Sequence, residues 1–146
     1  MEALNKFKSL PKLEKKLLLK AVFLVLLIRL VIVILPFNII TGFISNIFKS
    51  KKSLRADSCP MADRVRWAVD AGSNSIPFTK NCLVKSIAIH ILLRNYNYES
   101  IIHFGVRKDS KDILKAHAWV ECEGEIFSSE SEIKNYTPFK TIEMKT

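Results

Sequence analysis

Apolar residues run almost without a break from Leu17 to Leu35, interrupted only by Lys20, Ala21 and Arg29. Pro36 disfavours helix in the residue before it, so the run predicts a helix ending at about Leu35. Beyond it, Ile40, Phe43, Ile44, Ile47 and Phe48 recur at i, i+3, i+4, i+7 and i+8, which predicts an amphipathic helix over 37–48. Lys49, Lys51, Lys52 and Arg55 then form a solvated basic linker. The pattern changes at this point. It divides the chain into a basic, apolar helical segment over 1–55 and a core over 56–146.

In the second part, Asp57-Ser58-Cys59-Pro60 has the form of a helix start, a capping residue followed by proline in the first turn. Val65, Ala68 and Val69, with Trp67 beside them, supply a packing stripe, and Gly72 and Asn74 are expected to stop the helix ahead of a loop over 73–80. From Cys82 to Arg94, Val84, Ile87, Ala88, Ile91 and Leu92 repeat at helical spacing, which puts Cys82 in the first turn of a central helix. Asn95 to Tyr98 is a turn. Strands are expected over 101–106, 114–122 and 125–128, with Glu123-Gly124 as a two-residue hairpin turn between the last two. A helix followed by an antiparallel sheet is an α+β layout.

The chain of 146 residues, 49% hydrophobic and 10% aromatic, has room for one domain with a real core and does not have a disordered composition. The net charge of +9 belongs to the N-terminal part: residues 1–55 hold 11 Lys/Arg and 2 Asp/Glu, whereas 56–146 hold 12 of each. No zinc-ligand spacing, helix-turn-helix pattern or aromatic platform accompanies that charge, so nucleic acid is not an expected partner. The cysteines Cys59, Cys82 and Cys122 are odd in number and lack C-x-x-C spacing, which fits neither a disulfide framework nor a zinc site. No small-residue cleavage site follows a short apolar region. Free thiols in the cytoplasm, with no metal or cofactor, are the expectation.

Residues 17–35 keep two readings open. They match the roughly 20 residues needed to cross a bilayer, and holding Arg29 in hydrocarbon would cost about 2.5–3.5 kcal/mol. Membrane contact is therefore one reading. The other is a helix buried against the domain or a partner, its cations snorkelling outward. Lys20 and Arg29, nine residues apart, fall on opposite sides of the helix, which is neither a clean interfacial pattern nor a clean coiled coil.

The candidate chemistry begins at Cys82. A helix N-terminus carries partial positive charge that stabilises a thiolate, the nucleophilic form of cysteine. Ala116-His117-Ala118-Trp119-Val120-Glu121 follows on a strand, and cysteine before histidine, on helix and then strand, is the chain order of papain-like and transglutaminase-like enzymes. With Glu123 and Gly124 as the turn, residues whose numbers sum to 247 face each other, so His117 faces Glu130. A carboxylate there would hold the imidazole's tautomer and stabilise its cation. A one-residue bulge would place Ser129 opposite instead. Trp119 shares the face of His117 and is expected to wall the site from water. His90, His103 and Cys59 carry no such pattern and are taken as ordinary.

Cys82-Leu83-Val84-Lys85-Ser86, Leu92-Leu93-Arg94, Phe104-Gly105-Val106 and His117-Ala118-Trp119-Val120-Glu121 together resemble the leader peptidase of lasso peptide biosynthesis. Arg64-Val65-Arg66-Trp67-Ala68-Val69 and the apolar helices ending at Pro36-Phe37 are similar to it as well. The resemblance implies a transglutaminase-like fold and a cysteine protease that removes the leader from a ribosomally made precursor peptide. Cys82 would be the nucleophile and His117 the general base and acid. The family's acid, an aspartate some twelve residues after the histidine, corresponds to Ser129 here, so Glu130, a one-residue slip or a Cys-His dyad stand as alternatives. No fused recognition domain is present in the sequence, which implies a separate leader-recognition protein, alongside the macrocyclase of the same pathway. The rivals on the same fold are an acyltransferase and a non-catalytic, membrane-associated scaffold.

Overall fold

A computed structural model describes residues 10–36, 38–39, 42, 60–76, 81–127 and 133–143. Among the described residues three long helices come first: α1 (Lys12–Ile34), α2 (Pro60–Ser75) and α3 (Cys82–Asn95). A four-stranded antiparallel sheet follows, β1 (Ser100–Lys108), β2 (Leu114–Cys122), β3 (Glu125–Phe127) and β4 (Thr137–Glu143), in the order β3-β2-β1-β4. This is the α+β architecture expected. The predicted helix over 37–48 and the basic linker lie largely or wholly outside the described residues, as does Cys59.

The α1 helix starts five residues ahead of the apolar run. Pro11, at φ −57°, occupies its N-cap, and the helix-forming residues Lys12 to Lys16 complete its first turn. It ends as Pro36 requires, with Leu35 extended at ψ 141° and its N–H still donating to Val31. The α2 helix likewise outruns expectation, continuing through Gly72 and Asn74 to Ser75. The reason is packing: a Cβ on Gly72 would stand 3.1 Å from Val22 Cγ2 and 3.4 Å from the Val22 nitrogen, so the absent side chain lets α1 and α2 cross backbone to backbone.

One buried cluster joins all the layers. Leu17, Ala21, Val25 and Ile28 of α1 meet Ala62, Val65, Ala68 and Val69 of α2, Val84, Ile87, Ala88 and Leu92 of α3, and Ile102, Phe104, Val120 and Cys122 of the sheet. Burying each large aliphatic side chain among these contributes about 1.5–3 kcal/mol. Two buried polar contacts fasten α3 to the sheet. Ser86 Oγ donates to the Ala118 carbonyl at 2.9 Å, and His90 Nδ1 lies 2.8 Å from Ser100 Oγ.

The hairpin expectation holds over the described ladder. Val120 pairs with Phe127, Glu121 with Ile126 and Cys122 with Glu125, the predicted register. Glu123 (φ 49°) and Gly124 (φ 85°) both take the left-handed conformation that a two-residue type I′ turn demands. The β4 strand has no counterpart in the sequence expectations. It pairs antiparallel with β1 along the sheet edge, where Pro138 is tolerated, and a register shift beside Phe104 and Gly105 leaves Phe139 as the bulged residue.

Candidate active site

Asn81 sets up the start of α3. Its extended backbone (φ −108°, ψ 121°) makes it the N-cap, its Oδ1 accepts the Leu83 N–H at 3.0 Å, and its carbonyl accepts from Lys85 N at 3.1 Å. Cys82 is therefore the first helical residue, half-buried, with its Sγ donating a long 3.9 Å contact to Asn81 Oδ1. One turn on, Lys85 Nζ pairs with Asp70 Oδ1 of α2 at 2.8 Å, and the other Asp70 oxygen lies 3.9 Å from Arg66 Nε. The thiol thus stands at the positive end of a helix dipole whose nearby lysine is held in place.

A cavity of about 350 Å³ opens at this helix start. It is lined by Asn81, Cys82 and Leu83 from α3, by Ala116, His117 and Ala118 from β2, and by Phe104 and Phe139 from β1 and β4. So the structure brings Cys82 and His117, 35 positions apart in sequence, to one cavity. Its other walls are mostly apolar, and the β4 bulge supplies one of them, Phe139, whose ring centroid lies 6.4 Å from that of Phe104.

The imidazole of His117 is held by rings. Trp119, two residues on, stacks against it with centroids 6.1 Å apart and planes at 23°, and Tyr136, just ahead of β4, approaches at 5.3 Å. On its far side Trp119 stacks on His103 at 5.6 Å and 16°, and His103 Nε2 lies 2.8 Å from Glu121 Oε2. Trp119, expected to wall the site from water, stacks on His117 and is only 4% exposed, but it is not among the residues that line the cavity.

Gly105 makes room for this wall. It sits directly opposite His117 in the ladder, and a Cβ there would come within 2.9 Å of two Trp119 ring carbons and 3.0 Å of Tyr136 Cβ. Gly105→Ala is expected to destabilise the protein by about 1–3 kcal/mol by forcing the rings apart. Denaturant unfolding checks the stability. Near-ultraviolet circular dichroism checks the ring rearrangement, and an unchanged aromatic signal would show that Trp119 does not rest on Gly105.

Sequence reasoning did not find Asn81 as the cap, although an Asn just before a helical repeat is a recognised start signal. Phe139, Tyr136 and the spatial role of Gly105 were also missed, because they depend on the β1–β4 pairing. Both candidates for the third member, Glu130 and Ser129, lie outside the described residues. Among the described residues, no group of three or more His, Cys, Asp or Glu side chains stands together as a metal site.

Residues 24–142 match the family model described as the transglutaminase-like superfamily. No curated protein and no solved structure matches the chain.

Proposed function

The chain belongs to the transglutaminase-like superfamily, and from that membership we propose that it is a cysteine peptidase whose nucleophile is Cys82 and whose general base is His117. The carrying observation is that both residues line one cavity, with the cysteine at a helix start and the histidine on a strand of the sheet. Superfamily chemistry is typically that of a cysteine protease or an acyltransferase, which forms a thioester and passes the acyl group to water or an amine.

In the proposed reaction His117 takes the thiol proton and the Cys82 sulfur attacks the scissile carbonyl carbon. Collapse of the tetrahedral intermediate breaks the C–N bond, and His117 returns the proton to the leaving amine. A water, deprotonated by His117, then attacks the thioester and releases a carboxylate and the thiol. The oxyanion needs a donor that is not otherwise used. Since the Leu83 N–H is taken by Asn81, the backbone N–H of Cys82 is the donor assigned to it. Trp119 and Tyr136 keep the imidazole in place and restrict water at its faces.

The substrate assigned is a ribosomally made lasso peptide precursor, cut between leader and core. The support is the joint motif of Cys82-Leu83, Phe104-Gly105-Val106 and His117-Ala118-Trp119-Val120-Glu121. The leader would be presented by a separate recognition protein, and the released core amine passed to a macrocyclase. Purified protein incubated with a precursor and its recognition protein should yield free leader and free core by mass spectrometry, and Cys82→Ala should yield neither. Release at the wild-type rate by Cys82→Ala would end the assignment. Repeating the reaction with a small primary amine present tests the acyltransferase alternative, since an amidated leader would then replace the free acid.

A further inference from the structure

The α1 helix has two apolar faces. One, formed by Leu17, Ala21, Val25 and Ile28, is buried in the core. On the opposite side Leu19, Phe23, Leu26, Leu30 and Val33 are exposed, by 47% to 71% of their surfaces. With 3.6 residues per turn, Lys20 and Arg29 fall on the two flanks that separate these faces. The sequence alone left that pair as an obstacle to any simple amphipathic pattern. Once the core face is known, the two cations border a continuous outward apolar face, and Lys12, Lys15 and Lys16 add charge at its N-terminal end.

We propose that this outward face docks α1 in the plane of an anionic membrane surface, its leucines and phenylalanine among the acyl chains and its cations at the headgroups. A continuous apolar face of this size on an otherwise folded chain marks an interaction site. Flanking cations are the arrangement that lets an interfacial helix sink its apolar side while Lys and Arg reach phosphate oxygens. The concentration of the entire +9 net charge in residues 1–55 is complementary to anionic lipid.

Two other occupants fit less well. By length and composition α1 passes as a membrane span, with a mean hydropathy of 3.0 in its most apolar window. Yet it is packed on α2, which it meets backbone to backbone at Gly72, and α2 exposes Asp63, Arg64 and Arg66. Crossing the bilayer would either drag those charges into hydrocarbon or strip α1 from its core. A second copy of the chain would bring like charges together, because α1 carries Lys12, Lys15, Lys16, Lys20 and Arg29 against the single acidic residue Glu14.

This attachment is independent of the peptidase assignment. It is tested by floating the full chain with vesicles of phosphatidylcholine alone and of phosphatidylcholine with phosphatidylglycerol. The expected result is partitioning about tenfold or more stronger on the anionic vesicles, released by alkaline carbonate. Combining Leu19→Glu, Phe23→Glu and Leu30→Glu should cut partitioning by about tenfold or more, with circular dichroism unchanged because all three sites are exposed. Lys20→Glu with Arg29→Glu should weaken the preference for anionic vesicles. Four results overturn the proposal: no flotation on either vesicle, partitioning indifferent to the triple variant, resistance to carbonate, or a stable dimer by sedimentation that the triple variant dissolves.

Discussion

Replacing His117 with alanine is expected to lower the rate of leader release by about 10³–10⁴-fold while leaving the protein folded. The expectation follows from what the imidazole is asked to do. In the proposed reaction it removes the Cys82 proton, protonates the leaving amine and deprotonates water, and no other histidine lines the cavity. His103 is paired with Glu121 and sits behind Trp119, while His90 is fully buried. A merely structural ring would behave differently. Its loss would lower stability, and added imidazole would not help, whereas loss of a proton carrier leaves a gap beside Trp119 that free imidazole can enter. Single-turnover cleavage with and without imidazole separates the two. A fall of less than about tenfold, with no rescue, would remove His117 from the proton-transfer steps.

The second large effect concerns stability in acid. His90 is wholly buried on α3, and desolvation, with a smaller contribution from the Arg94 guanidinium, pulls its pKa down from 6.5 to about 4. The unfolded chain therefore binds a proton below about pH 6.5 that the folded protein refuses until about pH 4. Full stability is present above the unfolded value and is lost as the pH falls through this window. The loss is on the order of 3 kcal/mol, from a 1.36 kcal/mol equivalence per pKa unit. Because α3 carries Cys82 at its other end, this loss would undo the site as well. Urea unfolding from pH 8 down to 4 should show the fall, and His90→Asn, which keeps a polar partner for Ser100 but cannot titrate, should flatten it. An equal slope in both proteins would place the acid sensitivity elsewhere.

Much of the architecture could be read from local pattern. Val84, Ile87, Ala88 and Leu92 announce α3 because a helix's packing stripe repeats within the segment itself, and all four are buried. Glu123-Gly124 announces its hairpin because the turn needs two left-handed residues in succession. The order of Cys82 and His117 was readable for the same reason: each sits at a recognisable point of its own element. What could not be read depends on partners distant in sequence. The β4 strand pairs with β1 across more than thirty residues, contains Pro138 and bulges at Phe139, so no alternation announces it. Gly105 shows its purpose only when Trp119 lies over it, and Lys20 and Arg29 gain meaning only when the core has chosen one face of α1. Gly72 and Asn74 were expected to end α2 because propensity disfavours them in a helix. Close packing against Val22 overrides that preference at Gly72.

The central claim is that Cys82 and His117 form one reactive pair, and alkylation of Cys82 by iodoacetamide tests it without any assumption about substrate. Rates read at pH 7 by peptide mass spectrometry should show Cys82 alkylated faster than a free thiol reference, and His117→Ala should slow it to about the rate of that reference. A Cys82 rate that already matches the free thiol, and that His117→Ala leaves unchanged, would contradict the pairing.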